Sequence, residues 1–267
     1  MTETGATGRL RVSVATLNRL LFPHPENGTP LLAFERTAGV MPGSNGATRV
    51  RSKPFGGAVR ILNTAPLQAL VGEVVFDSER SKIEQDFRIV IARSDWEAVK
   101  QFALQQLGTP GGANLEPGPQ RELDEEFGYV LGRSLEPDQY AYRPAGFVIE
   151  NAPIATNNYH ARGQLTVRLY QIFEVRIVDQ SLGAAMWAAS ERYSDEELAK
   201  RMLADKASGG TGRTANLLAL PLNRVAEAYL RLPPEKRYAV VAVDGHQLHE
   251  SVPAVLDGVE VPEYLRL

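Results

Sequence analysis

From Leu10 to Phe22, and again from Pro30 to Glu35, apolar residues recur with β-branched and aromatic types among them, and the turn-forming run Pro23-His24-Pro25-Glu26-Asn27-Gly28 divides the two stretches. Two strands joined by a loop are the simplest account. The segment Arg49 to Lys53 alternates, so as a strand it sends Arg49, Arg51 and Lys53 to one side. Val71 to Phe76 and Phe87 to Ala92 read as further strands. Ser94-Asp95-Trp96-Glu97 has the form of a capping box opening a helix to Leu107, with Trp96, Val99, Ala103 and Leu107 near one stripe and Gly108 and Pro110 stopping it.

Thr109 to Pro119 is a Gly/Pro-rich connector, and Pro119 suits a first helical turn. Beyond the helix that follows, Gly146 to Glu150 and Leu165 to Val178 are predicted strands. The second is apolar on both faces, the mark of a central strand covered on both sides. A second capping box, Ser194 to Glu197, opens a helix to about Lys206. Pro221 begins another, with Leu222, Val225, Tyr229 and Leu232 in register and Pro233-Pro234 ending it. From Arg237 onward one strand is expected to join the sheet before the chain trails off. There is no internal repeat and no low-complexity tract.

Composition narrows the chemistry. With 267 residues, 43% of them apolar, the chain can bury a sizeable core. Its 29 basic and 32 acidic residues leave a net charge of −3, which supplies no general field for gripping nucleic acid or an anionic membrane. Any polyanion site must be local. The absence of cysteine removes disulfides and thiolate metal sites, so a metal would be held by oxygen or histidine. The polar, acid-bearing Met1 to Gly8 reads as a frayed tail rather than a secretory signal, and no apolar run approaches the roughly 20 residues that span a bilayer. A soluble, cytoplasmic protein is the expectation.

The densest chemistry lies in Arg121-Glu122-Leu123-Asp124-Glu125-Glu126-Phe127-Gly128. On a helix Glu122, Glu125 and Glu126 stand at i, i+3 and i+4 and project together, while Leu123 and Phe127 point into a core. Three carboxylates so close repel one another, a cost that a bound cation relieves. Gly128 is predicted as the left-handed C-terminal cap. The bland account is a solvated charged face, with Arg121 and Glu125 as an i,i+4 pair. Against it, the full pattern has an accidental likelihood on the order of one in ten thousand, judged from average residue usage.

This string resembles the second half of the Nudix signature, Arg-Glu-aliphatic-x-Glu-Glu-x-Gly-aliphatic, with Tyr129 at the last position. Two alignments of the first half are available. In one, Gly111-Gly112 supplies the glycine pair, Glu116-Pro117-Gly118 ends the loop, and Pro119 falls where the family has a further glutamate. In the other, Pro54-Phe55-Gly56-Gly57-Ala58-Val59 is the loop, and residues 62–118 are an insertion that splits the signature. That interrupted layout is similar to divergent Nudix domains associated with bacterial nucleotide-second-messenger defence operons. Neither alignment supplies the family's first-loop glutamate.

The resemblance implies an α/β fold over residues 1–267: a Nudix-like α/β/α sandwich with a mixed sheet, the acidic helix on one face and the C-terminal helices, from about 194, on the other. It implies Mg²⁺ or Mn²⁺ held by Glu122, Glu125 and Glu126, with Arg121 orienting them, and hydrolysis of a nucleoside diphosphate linked to another moiety. Arg49, Arg51, Lys53, Gly56 and Gly57 are candidate contacts to the nucleotide-type substrate, the cations through guanidinium and ammonium bonds to phosphate; an exposed basic strand face is their alternative. Glu174 and Glu191 are candidates for a general base, each also readable as structural. The missing glutamate keeps a second function open, a module that binds or senses a nucleotide-derived signal without cleaving it. A second copy of the chain, as a homodimer, is a further open option. The glycine run from Ser208 to Thr214 lacks phosphate-loop spacing and reads as a connector, and His246-x-x-His249 reads as a surface turn.

Overall fold

The computed structural model describes residues 8–40, 48–109, 112–116, 118–156, 161, 163–190, 194–208, 215–231 and 241–256. In the N-terminal part, β1 (Arg9–Pro23), β2 (Pro30–Val40), β3 (Thr48–Lys53) and β4 (Phe55–Ala58) lead to β5 (Arg60–Ile61), α1 (Ala65–Val71), β6 (Val75–Phe76), α2 (Glu79–Glu84), β7 (Arg88–Ala92), α3 (Trp96–Gly108) and β8 (Leu115–Glu116). The acidic helix α4 (Pro119–Leu131) follows. After it come β9 (Tyr140–Ala155), β10 (Leu165–Ile177), α5 (Gln180–Ser190), α6 (Asp195–Ala207), β11 (Ala215–Pro221), α7 (Leu222–Leu230), β12 (Val241–Val243) and β13 (His246–Leu248).

One strand organises the sheet. Along one edge β1 pairs in parallel with β10 from Arg11 to Leu21. Its other edge is shared by three antiparallel partners in succession: β7 against Arg9 to Ser13, β4 against Ala15 to Asn18, and β2 against Leu21 to Pro23. β9 continues the sheet beyond β10, and β3, β13 and β12 continue it beyond β2, with β11 also on β2. The sheet is therefore mixed, and β10 lies in its interior with partners on both edges, in keeping with the central strand that the apolar faces of Leu165 to Val178 predict.

Alternation along β1 and β10 sorts the core into faces. Leu10, Val12 and Val14 pack with Val167, Leu169, Leu67 of α1 and Val99 of α3. Further along the same face, Leu20 and Phe22 meet Val175, Leu123 and Phe127 of α4, and Leu182 and Met186 of α5. The opposite face carries Ala15, Leu17, Tyr170 and Ile172 against Val225 and Tyr229 of α7 and the 3-10 turn Val252–Val255. α6 packs near β3 through Val50, Leu198 and Met202. Helices on both faces of a mixed sheet make this an α/β sandwich. Among the described residues no helix is long and apolar enough to cross a membrane.

Several local expectations change. Val71 to Phe76 is not one strand: α1 ends at Val71, with Leu67 anchoring it in the core, and only Val75 and Phe76 pair with β7. At Ser94 the capping box does not form, because Ser94 Oγ turns to Asp95 Oδ1 within a 3-10 turn and α3 starts at Trp96. The second box does form, with Glu197 N–H donating to Ser194 Oγ at 3.2 Å and Ser194 N–H to the Glu197 carboxylate at 2.9 Å. α4 runs past Gly128 and is capped by Gly132, whose N–H reaches the Gly128 carbonyl. Pro221 closes β11 and stands before α7 rather than inside it. His246 lies on β13 of a hairpin with an Asp244-Gly245 turn, 3.4 Å from Asp195, while His249 Nδ1 is 2.8 Å from Ser251 Oγ; the two histidines have different partners. The N-terminal tail, Pro110-Gly111, Pro117, Glu191, the run 209–214, Leu232 to Pro234 and Tyr238 to Val240 lie outside the described residues.

The α4 anchor is testable. Phe127 is fully buried with its ring centroid 5.2 Å from that of Phe55, so Phe127→Ala is expected to cost about 3–5 kcal/mol of stability. Urea denaturation should show a lower midpoint; an unchanged midpoint would mean that α4 is not held through this ring.

Candidate functional site

α4 is fixed to the sheet at its first turn. Pro119 occupies the first helical position, and its carbonyl accepts a 3.3 Å bond from Asn18 Nδ2 of β1. Leu123 and Phe127 then drive one side of the helix into the core. The carboxylates do not all face solvent as a purely chemical face would: Glu122 and Glu126 are 8% and 3% exposed, and Glu125 is exposed. The buried pair lies against β4.

That contact joins segments 70 residues apart. Gly56 N–H donates to Glu126 Oε2 at 2.7 Å. A Cβ at Gly57 would overlap the Glu122 carboxylate, and one at Gly56, whose φ is 141°, would overlap the Thr16 carbonyl. Gly56 is required by its φ and by the close approach of the β1 backbone, while at Gly57 the room a Cβ would take is filled by the end of the Glu122 side chain. The loop of the second alignment and the acidic helix therefore meet. In the first alignment, Gly112 packs instead at the end of α3, where a Cβ would meet the Gln106 carbonyl.

Cations hold each carboxylate. Lys53 Nζ lies 2.6 Å from Glu35 and 2.9 Å from Glu126. Arg121 reaches Glu122 at 2.6 Å and Glu125 at 3.3 Å. Burial pushes the Glu122 carboxyl above its ordinary range despite Arg121. Burial also raises Glu126, to about 8, because Lys53 must serve Glu35 as well and the two carboxylates repel. Lys53 itself is held protonated, since the two carboxylates outweigh its desolvation.

These groups line a cavity of about 290 Å³ that also receives Arg60, Arg80, Glu84, Asp86 and Arg88. Arg80 pairs with Glu84 at 2.9 Å, Arg88 with Asp86 at 2.7 Å, and Arg60 with Glu116 at 3.5 Å. Burial raises the Asp86 carboxyl. Counting Lys53 and Arg121 with the three new arginines, and Glu122, Glu125 and Glu126 with Glu84 and Asp86, the lining carries five cations and five carboxylates. An arrangement of interleaved signs suits a ligand that is itself part cation and part anion.

Of the basic strand, Lys53 reaches this cavity. Arg51 is half-buried on β3 and does not line it, and the Arg49 side chain lies outside what is described. Glu174 is on the other face of the sheet, bonded to Arg19, to Arg143 at 3.1 Å and to Arg176 at 2.8 Å. Burial alone would raise its carboxyl, but bonds from Arg176 and Arg19 hold it down at about 2, so it is a structural anion and a poor base. Among the described residues no three histidine or acidic side chains are gathered as a ready metal cage. Arg60, Arg80, Glu84, Asp86 and Arg88 were not flagged by sequence reasoning. The signal for Arg80, Glu84, Asp86 and Arg88 is the charge density of Asp77 to Arg88, which says nothing about where that stretch folds, and Arg60 lies outside it.

The chain matches no protein-family model, and no curated protein and no solved structure matches it.

The strain at Glu126 has a measurable consequence. A free glutamate ionises near 4.5 and this one at about 8, so the folded state holds the proton more tightly and loses stability as pH rises through that window. Glu126→Gln keeps the shape without the charge. It is expected to melt close to the parent at pH 4.5 and higher than the parent above pH 8, by roughly 2–4 °C per kcal/mol relieved. Melting curves across that range check it, and a variant less stable than the parent at pH 9 contradicts it.

Proposed function

We propose that this cavity binds a divalent cation together with the diphosphate of a nucleoside diphosphate linked to another moiety, and that the chain hydrolyses the phosphoanhydride as a divergent Nudix protein with an interrupted signature. The observation that carries this reading is the packing of Gly56-Gly57 directly beneath Glu122 and Glu126, across 70 residues of sequence.

The donor set suits Mg²⁺ or Mn²⁺, which prefer carboxylate oxygen. Glu122 and Glu126 are buried at a cost to their charged forms, which a cation would offset. Such an ion, when bound, lowers the pKa of an attacking water and neutralises phosphate charge. Glu122, Glu125 and Glu126 would hold it, and Arg121 sets the orientation of Glu122 and Glu125. Lys53, Arg60, Arg80 and Arg88 line the same space and supply donors to phosphate oxygens. The glycine pair lets the Glu122 and Glu126 carboxylates lie against β4 at the edge of this space.

A second reading, a module that binds the nucleotide-derived ligand without cleaving it, draws support from the ion pairs of Lys53 and Arg121. They already occupy the carboxylates that a metal needs.

Incubation with Mg²⁺ or Mn²⁺ and a panel of diphosphate-linked nucleotides separates the two. Hydrolysis by the parent that falls about a hundredfold or more in Glu122→Gln, Glu125→Gln and Glu126→Gln is the expected result, in line with losing transition-state electrostatics. Thermal stabilisation by the same compounds without product selects the binding module. Neither turnover nor stabilisation rejects both.

A further inference from the structure

A second cavity lies on the same sheet face. It encloses about 760 Å³ between α3, β8 and the strands β9 and β10, within the range typical of small-molecule sites. Its walls are apolar and aromatic: Leu62, Leu115, Tyr142, Phe147 and Phe173, with the Tyr142 and Phe173 rings tilted at 45° and their centroids 6.2 Å apart. Leu62 and Tyr142 are 56% and 44% exposed, large hydrophobic side chains left open to solvent at the rim.

One polar group stands in this lining without full satisfaction. Gln171 is 5% exposed, and its amide nitrogen donates to the Leu107 carbonyl at 3.1 Å. That bond sets which end of the amide is which. Its Oε1 is buried with no hydrogen-bond partner, a state that costs free energy unless a donor is supplied.

The register places this cavity beside the first. Thr16 of β1 is paired with Gly57 on one side and with Gln171 on the other. Adjacent strands being about 4.8 Å apart, Gly57 and Gln171 are roughly 10 Å from each other in a single row of the sheet. The short ribbon of β5 and β8 borders both spaces, and its Arg60–Glu116 pair joins their linings. A nucleoside diphosphate can bridge such a distance, with its phosphates in the charged cavity and its base in the apolar one.

We infer that the apolar cavity is a subsite for a planar nitrogen heteroaromatic ring, the base of the ligand whose diphosphate occupies the charged cavity. The ring packs among Tyr142, Phe147 and Phe173, and an N–H of its edge satisfies Gln171 Oε1 once the amide, closed to the cavity in this structure, turns toward it. The inference builds on the proposed phosphate site, but its test reads the two separately.

Calorimetry on the full chain would use adenosine, purine riboside (which lacks the amino group) and, independently, inorganic pyrophosphate with Mg²⁺. Adenosine is expected to bind, and Tyr142→Ala and Leu62→Ser, at exposed positions that leave the melting temperature unchanged, to weaken it by about 2- to 10-fold. Purine riboside should bind about 2- to 10-fold more weakly than adenosine. Gln171→Met should erase that difference. Pyrophosphate affinity should ignore Tyr142→Ala and fall with Glu122→Gln, while adenosine does the reverse. If pyrophosphate binds and adenosine does not, or adenosine binds without sensing Tyr142 and Leu62, the base subsite is refuted. If adenosine binds through Tyr142 and pyrophosphate does not bind, the subsite stands and the phosphate reading fails. No binding of either overturns both.

Discussion

The approach of two glycine backbones to two glutamate side chains sets the rest of the site. Gly57 leaves room for the Glu122 carboxylate, and Gly56 offers its N–H to Glu126. A Cβ at Gly57 would displace the Glu122 carboxylate from β4, while α4 itself is held by the first-turn bond from Asn18 to Pro119 and the Phe55–Phe127 contact. The same closeness buries the two carboxylates and makes their charge costly. Local packing and local electrostatics are here one constraint: the Glu122 carboxylate can lie against β4 because glycine leaves room for it, and lying there strains the acid.

That strain is answered by cations from other parts of the chain. Lys53 comes from β3 and Arg121 from the helix itself, and the segment between β4 and α4 adds three arginines and two acids to the wall. A set of five opposing pairs of charges in a small cavity is an unusual way to fill space that apolar residues would fill at less cost. Groups held against their solvation preference at a cleft are a mark of sites selected for chemistry over stability. The neighbouring apolar cavity has the opposite character. The two spaces share the row Gly57, Thr16 and Gln171 and so divide one sheet face into a charged half and an aromatic half.

Much of the fold was legible from periodicity. Leu10 to Phe22, Pro30 to Glu35, Phe87 to Ala92 and Leu165 to Val178 became strands, and Val99, Ala103 and Leu107 form the buried stripe of α3 as their spacing predicts. Where the reading failed, tertiary contacts outweighed local signals. The apolar run from Val71 to Phe76 divides between a helix end and a two-residue strand because Leu67 had to reach the core. Ser94 has the letters of a cap but spends its hydroxyl on its neighbour. α5, with Leu182, Met186 and Ala189 buried at helical spacing, carries its helical period in the sequence as well. Glycine favours caps, which points to Gly128 as the helix end, but Gly128 remains helical and the cap falls four residues later at Gly132.

By itself the sequence determined the strand and helix periods, the amphipathic register of the acidic helix and the presence of a glycine pair after a basic strand. Each is encoded in residues close together along the chain. Tertiary structure alone decided that the glycine pair at 56–57, rather than Gly112, lies beside the carboxylates, and that Lys53 rather than Arg51 enters the cavity. It also decided that Arg60, Arg80, Glu84, Asp86 and Arg88 complete the wall. These outcomes depend on which strands pair along the two edges of β1, a long-range choice made by the summed burial of many side chains, which no local spacing records.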